Sequence, residues 1–186
     1  MTRIVAGRYG GRRLRTPAGA ATRPTSERVR EAVFSRLDHL GVLTGARVLD
    51  LYAGAGSLGL EAASRGAAEV VLVDIAKAAT NVAAKNITTL GVPAARVVTA
   101  DAARYLAQPP PVGPGFDVVL LDPPYDLAET DLTAVLGALA TPGRLDPGAL
   151  VVVERSTRSP EPSWPVGWGA VTSKRYGETA VWFAQA

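Results

Sequence analysis

The chain has no cysteine, a single histidine, a single methionine and few aromatic residues. The absence of cysteine excludes disulfides, thiol nucleophiles and cysteine-ligated zinc, and suits a reducing compartment. His39 follows an expected helix and stands near no carboxylate cluster, so it is read as a surface residue, and no metal is expected. No stretch reaches the roughly 18 consecutive apolar residues of a membrane span. The first residues are dotted with arginine rather than built like a signal peptide. A soluble cytoplasmic protein without a membrane partner is expected, and a monomer.

What is present is enough for one core. With 186 residues, 47% of them hydrophobic, the chain can bury a Rossmann-sized domain and a small appendage, but not two full domains. A net charge of +3 conceals an asymmetry: residues 1–36 hold nine arginines against Glu27 and Glu31, a local +7 that leaves −4 for the remainder. Concentrated arginine on a small appendage is the footprint of a phosphate-backbone binder, although a solvated basic face has the same composition.

Asp122-Pro123-Pro124-Tyr125 closes the apolar run Asp117-Val118-Val119-Leu120-Leu121. Exocyclic amines such as guanine N2 and adenine N6 are poor nucleophiles because their lone pair is delocalised into the ring. The Asp122 carboxylate and the Pro123 carbonyl are acceptors that can hold the two amine hydrogens and turn the lone pair toward an electrophile. Two prolines fix φ and donate no N–H, which stiffens the turn, and Tyr125 offers a flat ring. Alone, the same four residues would also end a strand in any α/β domain.

A second motif lies upstream. Residues 48–61 read as a buried strand, a glycine loop and the opening of a helix running to about Arg65. Gly54, Gly56 and Gly59 fit G-x-G-x-x-G, and Asp74 ends the next apolar strand, Val70 to Val73, at the spacing of a ribose-binding acid. Dinucleotide-binding proteins share that much. Asp50 ahead of the loop, placed to take an ammonium group, Asp101 after the third strand beside an adenine, and the DPPY turn after the fourth favour S-adenosylmethionine over NAD.

The motifs resemble the bacterial 16S rRNA guanine-N2 methyltransferases of the RsmD type, over nearly the whole chain. Besides LDLYAGAGSLGLEAASRGA and DPPY, the likeness covers Arg3 to Gly7, Arg23-Pro24-Thr25-Ser26-Glu27-Arg28-Val29-Arg30-Glu31-Ala32-Val33-Phe34, and Lys174 to Thr179. The resemblance implies a class I methyltransferase fold, a Rossmann-like seven-stranded sheet whose last strands are antiparallel. It implies Asp122, Pro123, Pro124 and Tyr125 as the catalytic motif. Asp50, Tyr52, Gly54, Gly56, Gly59, Asp74 and Asp101 become cofactor contacts, for S-adenosyl-L-methionine and its product S-adenosyl-L-homocysteine. It implies guanine 966 of 16S rRNA, in the small ribosomal subunit, as target. Where the family often has glutamate after the second strand, this chain has Asp74, which keeps the carboxylate.

Along the chain, residues 1–40 read as a basic RNA-binding extension and 41–186 as the methyltransferase domain. Residues 3–6 and 12–15 read as short strands around Tyr9-Gly10-Gly11, a hairpin ordered on its own or on RNA. Arg3, Arg8, Arg12, Arg13, Arg15, Arg23, Arg28 and Arg30 are its candidate RNA contacts. Thr25 or Ser26 can cap the next helix, whose apolar stripe is Val29, Val33, Phe34, Leu37 and Leu40. Helix 76–90, strand 96–100, a short helix from Ala102, helix 129–140 and strand 148–154 give α/β order. Residues 109–115 read as a stiff proline-rich connector, and strands near 168–174 and 178–184 close one sheet edge. Lys174, Arg175 and Tyr176 read either as an RNA-facing patch or as a core tyrosine with solvated neighbours. Rival functions are an adenine-N6 DNA methyltransferase, for which the chain has little room beyond its arginine-rich end, an NAD-dependent oxidoreductase, which leaves DPPY idle, and a non-catalytic ribosome-assembly binder.

Overall fold

The computed structural model describes residues 2–17, 24–110 and 112–186. Arg23 and the side chains of Thr25 and Ser26 lie outside that description. The chain begins with a hairpin, β1 (Thr2–Arg3) and β2 (Arg13–Leu14), shorter than the expected strands, and continues into α1 (Pro24–His39). Alternating elements follow: β3 (Arg47–Leu51), α2 (Ser57–Ser64), β4 (Glu69–Asp74), α3 (Lys77–Leu90), β5 (Ala95–Thr99), α4 (Ala102–Leu106), β6 (Phe116–Leu121) and α5 (Glu129–Leu139). β7 (Leu145–Ser156), β8 (Gly169–Tyr176) and β9 (Thr179–Gln185) complete a seven-stranded sheet of order β5-β4-β3-β6-β7-β9-β8.

The first five strands of that order are parallel, and β9 runs antiparallel between β7 and β8. Period-two alternation divides the central strands between two cores. Val48, Val70, Leu72, Val118 and Leu120 face α1, α2 and α3, whereas Leu49, Leu51, Val71, Val73, Val119 and Leu121 face α4 and α5. Coverage on both faces is why these strands read as unbroken apolar runs. Chain order reverses at β3, with β4 to one side and β6 to the other, and such a switch point opens a crevice at the carboxyl ends of the strands.

The N-terminal segment is part of this body. Ile4, Tyr9 and Leu14 are buried in the same core as α1 and the sheet. Arg8 N–H donates to the Ser64 carbonyl (2.7 Å) and Tyr9 N–H to Ser64 Oγ (2.9 Å). Gly7 has φ +80° and lies so close to α2 that a Cβ there would fall 2.1 Å from the Ser64 oxygen. Glu61, fully buried on α2, accepts from Val5 N–H (2.7 Å) and Ala6 N–H (3.1 Å) and pairs with Arg30 and Arg65. Leu40 departs from the expected stripe. It lies past the end of α1 and is exposed, because the turn at Gly41, φ +69°, carries the chain away from the core.

Candidate active site

The parallel strands deliver their terminal acids to one side. Asp122 and Pro123 follow β6 directly, Asp74 is the last residue of β4, and Asp101 lies just after β5. Together with Tyr52, Ile75, Pro124, Tyr125 and Glu154, they line a cavity of about 590 Å³ over the switch point. Tyr125 is half exposed in its wall. Tyr52 holds a left-handed backbone, φ 64°, unusual for a bulky residue and found mainly where a site requires it. Burial, reinforced by Asp101, pushes its phenol up to about 12.

Each acid also ties down backbone. Asp74 accepts from Gly54 N–H and Ala76 N–H, both at 2.8 Å, so it orders the glycine loop while facing the cavity. Asp101 caps α4 by accepting from Arg104 N–H (3.1 Å). Gly54 (φ +56°) and Gly56 (φ +85°) adopt conformations that disfavour side chains. Gly59 is needed for closeness instead, since a Cβ would sit 2.2 Å from Leu72.

Two of the candidate contact residues are buried. Asp50 is fully buried and is absent from the cavity lining: one oxygen accepts from Gly59 N–H (2.8 Å) and the other has no hydrogen-bond partner. Burial pushes its carboxyl up to about 8, against the lowering effect of the Gly59 bond. Its bond to Gly59 braces the glycine loop from below. Arg30 is the second: only 4% exposed, it donates to Thr2 Oγ1 (3.2 Å) and the Arg3 carbonyl and faces Glu61, so it joins hairpin to α2. Arg8, Arg12, Arg13, Arg15 and Arg28 are exposed, as is Arg3, which pairs loosely with Glu27 (3.5 Å). Tyr176 packs partly against the first core, with Lys174 over its ring.

Three residues of the site have no motif to announce them. Ile75 is a large apolar side chain left 69% exposed in the cavity wall. Arg155, 3% exposed, donates to the Leu127 carbonyl (3.0 Å) and to Glu129, and approaches the Pro124 carbonyl, clamping the segment after DPPY. Glu154 adjoins the DPPY acid at the cavity floor, and burial together with Asp122 pushes it up to about 8. The only signal for the last two was a charged pair ending the apolar run Val151-Val152-Val153.

Similarity to known proteins runs the length of the chain. Residues 2–185 match the family model described as Conserved hypothetical protein 95. The chain is 36% identical over 178 residues to ribosomal RNA small subunit methyltransferase D of Escherichia coli K12, covering 96% of this chain and 86% of that one. It is 36% identical over 179 residues to the Haemophilus influenzae protein of the same name, covering 94% and 89%. The solved structure of Escherichia coli yhhF superposes with a TM-score of 0.85 at 34% identity, over 98% of this chain and 96% of that one. At 17% identity, the magnesium protoporphyrin IX methyltransferase of Synechocystis shares the fold, TM-score 0.66 over 90% and 86%. With a class I methyltransferase sheet, a glycine loop and a DPPY turn on one crevice, and relatives matched nearly end to end, this chain belongs to the Conserved hypothetical protein 95 family of RsmD-type methyltransferases.

Proposed function

We propose that the protein is an S-adenosylmethionine-dependent rRNA methyltransferase that modifies the N2 amine of a guanine in 16S rRNA, guanine 966 by family likeness. The observation that carries the chemistry is the position of Asp122: it lines the crevice at the switch point, beside Pro123, Tyr125 and the strand-end acids. The cavity residues suit the cofactor. Asp74 offers a carboxylate for ribose hydroxyls, exposed Ile75 an apolar surface for a purine, and Tyr52 and Asp101 flank it. Bound there, S-adenosylmethionine supplies a sulfonium-activated methyl group.

The chain's own part is to prepare the nucleophile. Asp122 and the Pro123 carbonyl accept the two amine hydrogens, and Tyr125 stacks on the extruded base. Held this way, the nitrogen lone pair is turned out of conjugation toward the methyl group. As the N–C bond formed, the sulfur–methyl bond would break to leave S-adenosyl-L-homocysteine as a neutral thioether, and one amine proton would pass to Asp122, so that no covalent enzyme intermediate is needed. Arg3, Arg8, Arg12, Arg13, Arg15 and Arg28 give the hairpin and α1 an exposed cationic face for the phosphate backbone. Labelled-methyl transfer to unmodified small subunits, followed by nucleoside analysis, tests this reading. N2-methylguanosine is expected, and N6-methyladenosine or no product would contradict it.

A further inference from the structure

Two cavities meet at one pair of acids. Beside the larger cavity lies a second of about 240 Å³, between the N-terminal segment and the sheet, whose lining includes Thr2, Thr16, Arg30, Ser57, Asp122 and Glu154. Asp122 and Glu154 line both. Glu154 stands on β7 one residue past Val153, the last to pair with β6, and its backbone neighbour on β9 is Val181. Unlike the buried valines before it, it is partly open. A carboxyl left open to the very space where a base must meet Asp122 is placed to read that base.

We propose that Glu154 sets the base specificity of the site: as a neutral acid it pairs at two points with guanine, its carbonyl oxygen accepting from N1–H and its hydroxyl donating to O6, on a base seated in the smaller cavity with its amine on Asp122 and Pro123. Guanine presents amine, N1–H and O6 in sequence along one edge. Adenine held by its own amine presents ring N1 and then a C–H, so only one bond remains to it. The inference rests on the guanine-N2 reading above.

The protonation state follows from the surroundings. Two neighbouring carboxyls removed from water do not both ionise freely. Burial first, and the Asp122 charge second, push Glu154 up to about 8, so near neutral pH Glu154 keeps a proton. Other charged groups stand near, among them the buried carboxyl of Asp50, which also feels the Asp122 charge. Arg30, facing from α1, is committed to Thr2, the Arg3 carbonyl and Glu61, while Arg155 binds Leu127 and Glu129. Asp74 and Asp101 line the larger cavity and are held by backbone N–H groups of their own loops, and Tyr52 and Tyr125 are its phenols.

The test compares the wild type with Glu154→Gln and Glu154→Ala in methyl transfer to unmodified small subunits across pH, with cofactor affinity measured by calorimetry on each variant as the check on folding. A raised acid holds its proton below its folded value and loses it above, so wild-type transfer declines as pH rises through about 8. Glutamine presents the same acceptor and donor without titrating, so Glu154→Gln keeps most of the activity and lacks that decline. Glu154→Ala loses activity by roughly tenfold to a hundredfold, the worth of a two-point base contact. Proton loss from the base's own N1 at higher pH, and from the buried Asp50 near 8, is common to all three and cancels in the comparison. A Glu154→Gln profile that declines like the wild type, or an alanine variant as active as the wild type, would overturn the proposal. A wild type that transfers methyl groups but forms no N2-methylguanosine would instead remove the reading beneath it.

Discussion

At the scale of single residues, the site depends on side chains that never touch the substrate. Arg155 satisfies the Leu127 carbonyl and Glu129 at once and so holds the segment leaving Tyr125. Arg155→Met fills the same space but strips both groups of their donor, with an expected loss of about 1–3 kcal/mol. Denaturant unfolding measures that loss, and transfer assays should show turnover falling while cofactor affinity holds. An equally stable, equally active variant would contradict the clamp. Asp50 gives a pH prediction. Its carboxyl is raised to about 8 in the fold against an ordinary value of 3.8, so between those limits the unfolded chain releases a proton that the folded chain keeps. Stability therefore falls as pH rises through that window. Asp50→Asn, which still accepts from Gly59, should show a flatter dependence in unfolding measured from about pH 5 to 8, and an unchanged slope would place the shift elsewhere. The DPPY turn and the glycine loop were legible because both are local: consecutive residues make consecutive atoms of the site. Asp50 was legible as part of the loop motif, but its bond to Gly59 was not, since that depends on how the loop closes over the end of β3.

At the scale of elements, the N-terminal segment is fastened by a buried charge. Glu61 accepts from two successive backbone N–H groups and faces two arginines, Arg30 and Arg65, from α1 and its own helix end. Glu61→Ala leaves Arg30 buried without its counter-charge and should cost about 3–5 kcal/mol. Hydrogen exchange should then show amides from residues 2–15 losing protection before the sheet does, whereas uniform loss across the protein would mean the segment unfolds only with the whole. The order and type of the elements followed from apolar periodicity, and the strand ends carrying Asp74, Asp101 and Asp122 were placed correctly. The hairpin was harder. Arginine at alternating positions masks Ile4, Tyr9 and Leu14, which pack inward while their neighbours stay in water. Nothing in the local pattern of Arg30 or Glu61 shows that they meet, because the pairing spans α1 and α2.

At the scale of the whole molecule, the basic appendage and the acidic crevice divide the work between phosphate binding and chemistry. Replacing Arg12, Arg13 and Arg15 together by alanine should weaken RNA binding and reduce the magnitude of the salt slope by about 2–3, in proportion to the phosphate contacts removed. An unchanged slope would assign RNA binding to another surface. Charge asymmetry along the sequence gave this face its location, while only the fold shows that it adjoins the second cavity, which Thr2 and Thr16 line together with Asp122. The central claim is that Asp122 holds the amine and does not hold the cofactor. Cofactor affinity and single-turnover methyl transfer, measured side by side on Asp122→Ala and the wild type, separate these directly. The account predicts nearly equal affinity and transfer reduced to background; transfer at a comparable rate, or loss of cofactor binding as the main defect, would contradict it.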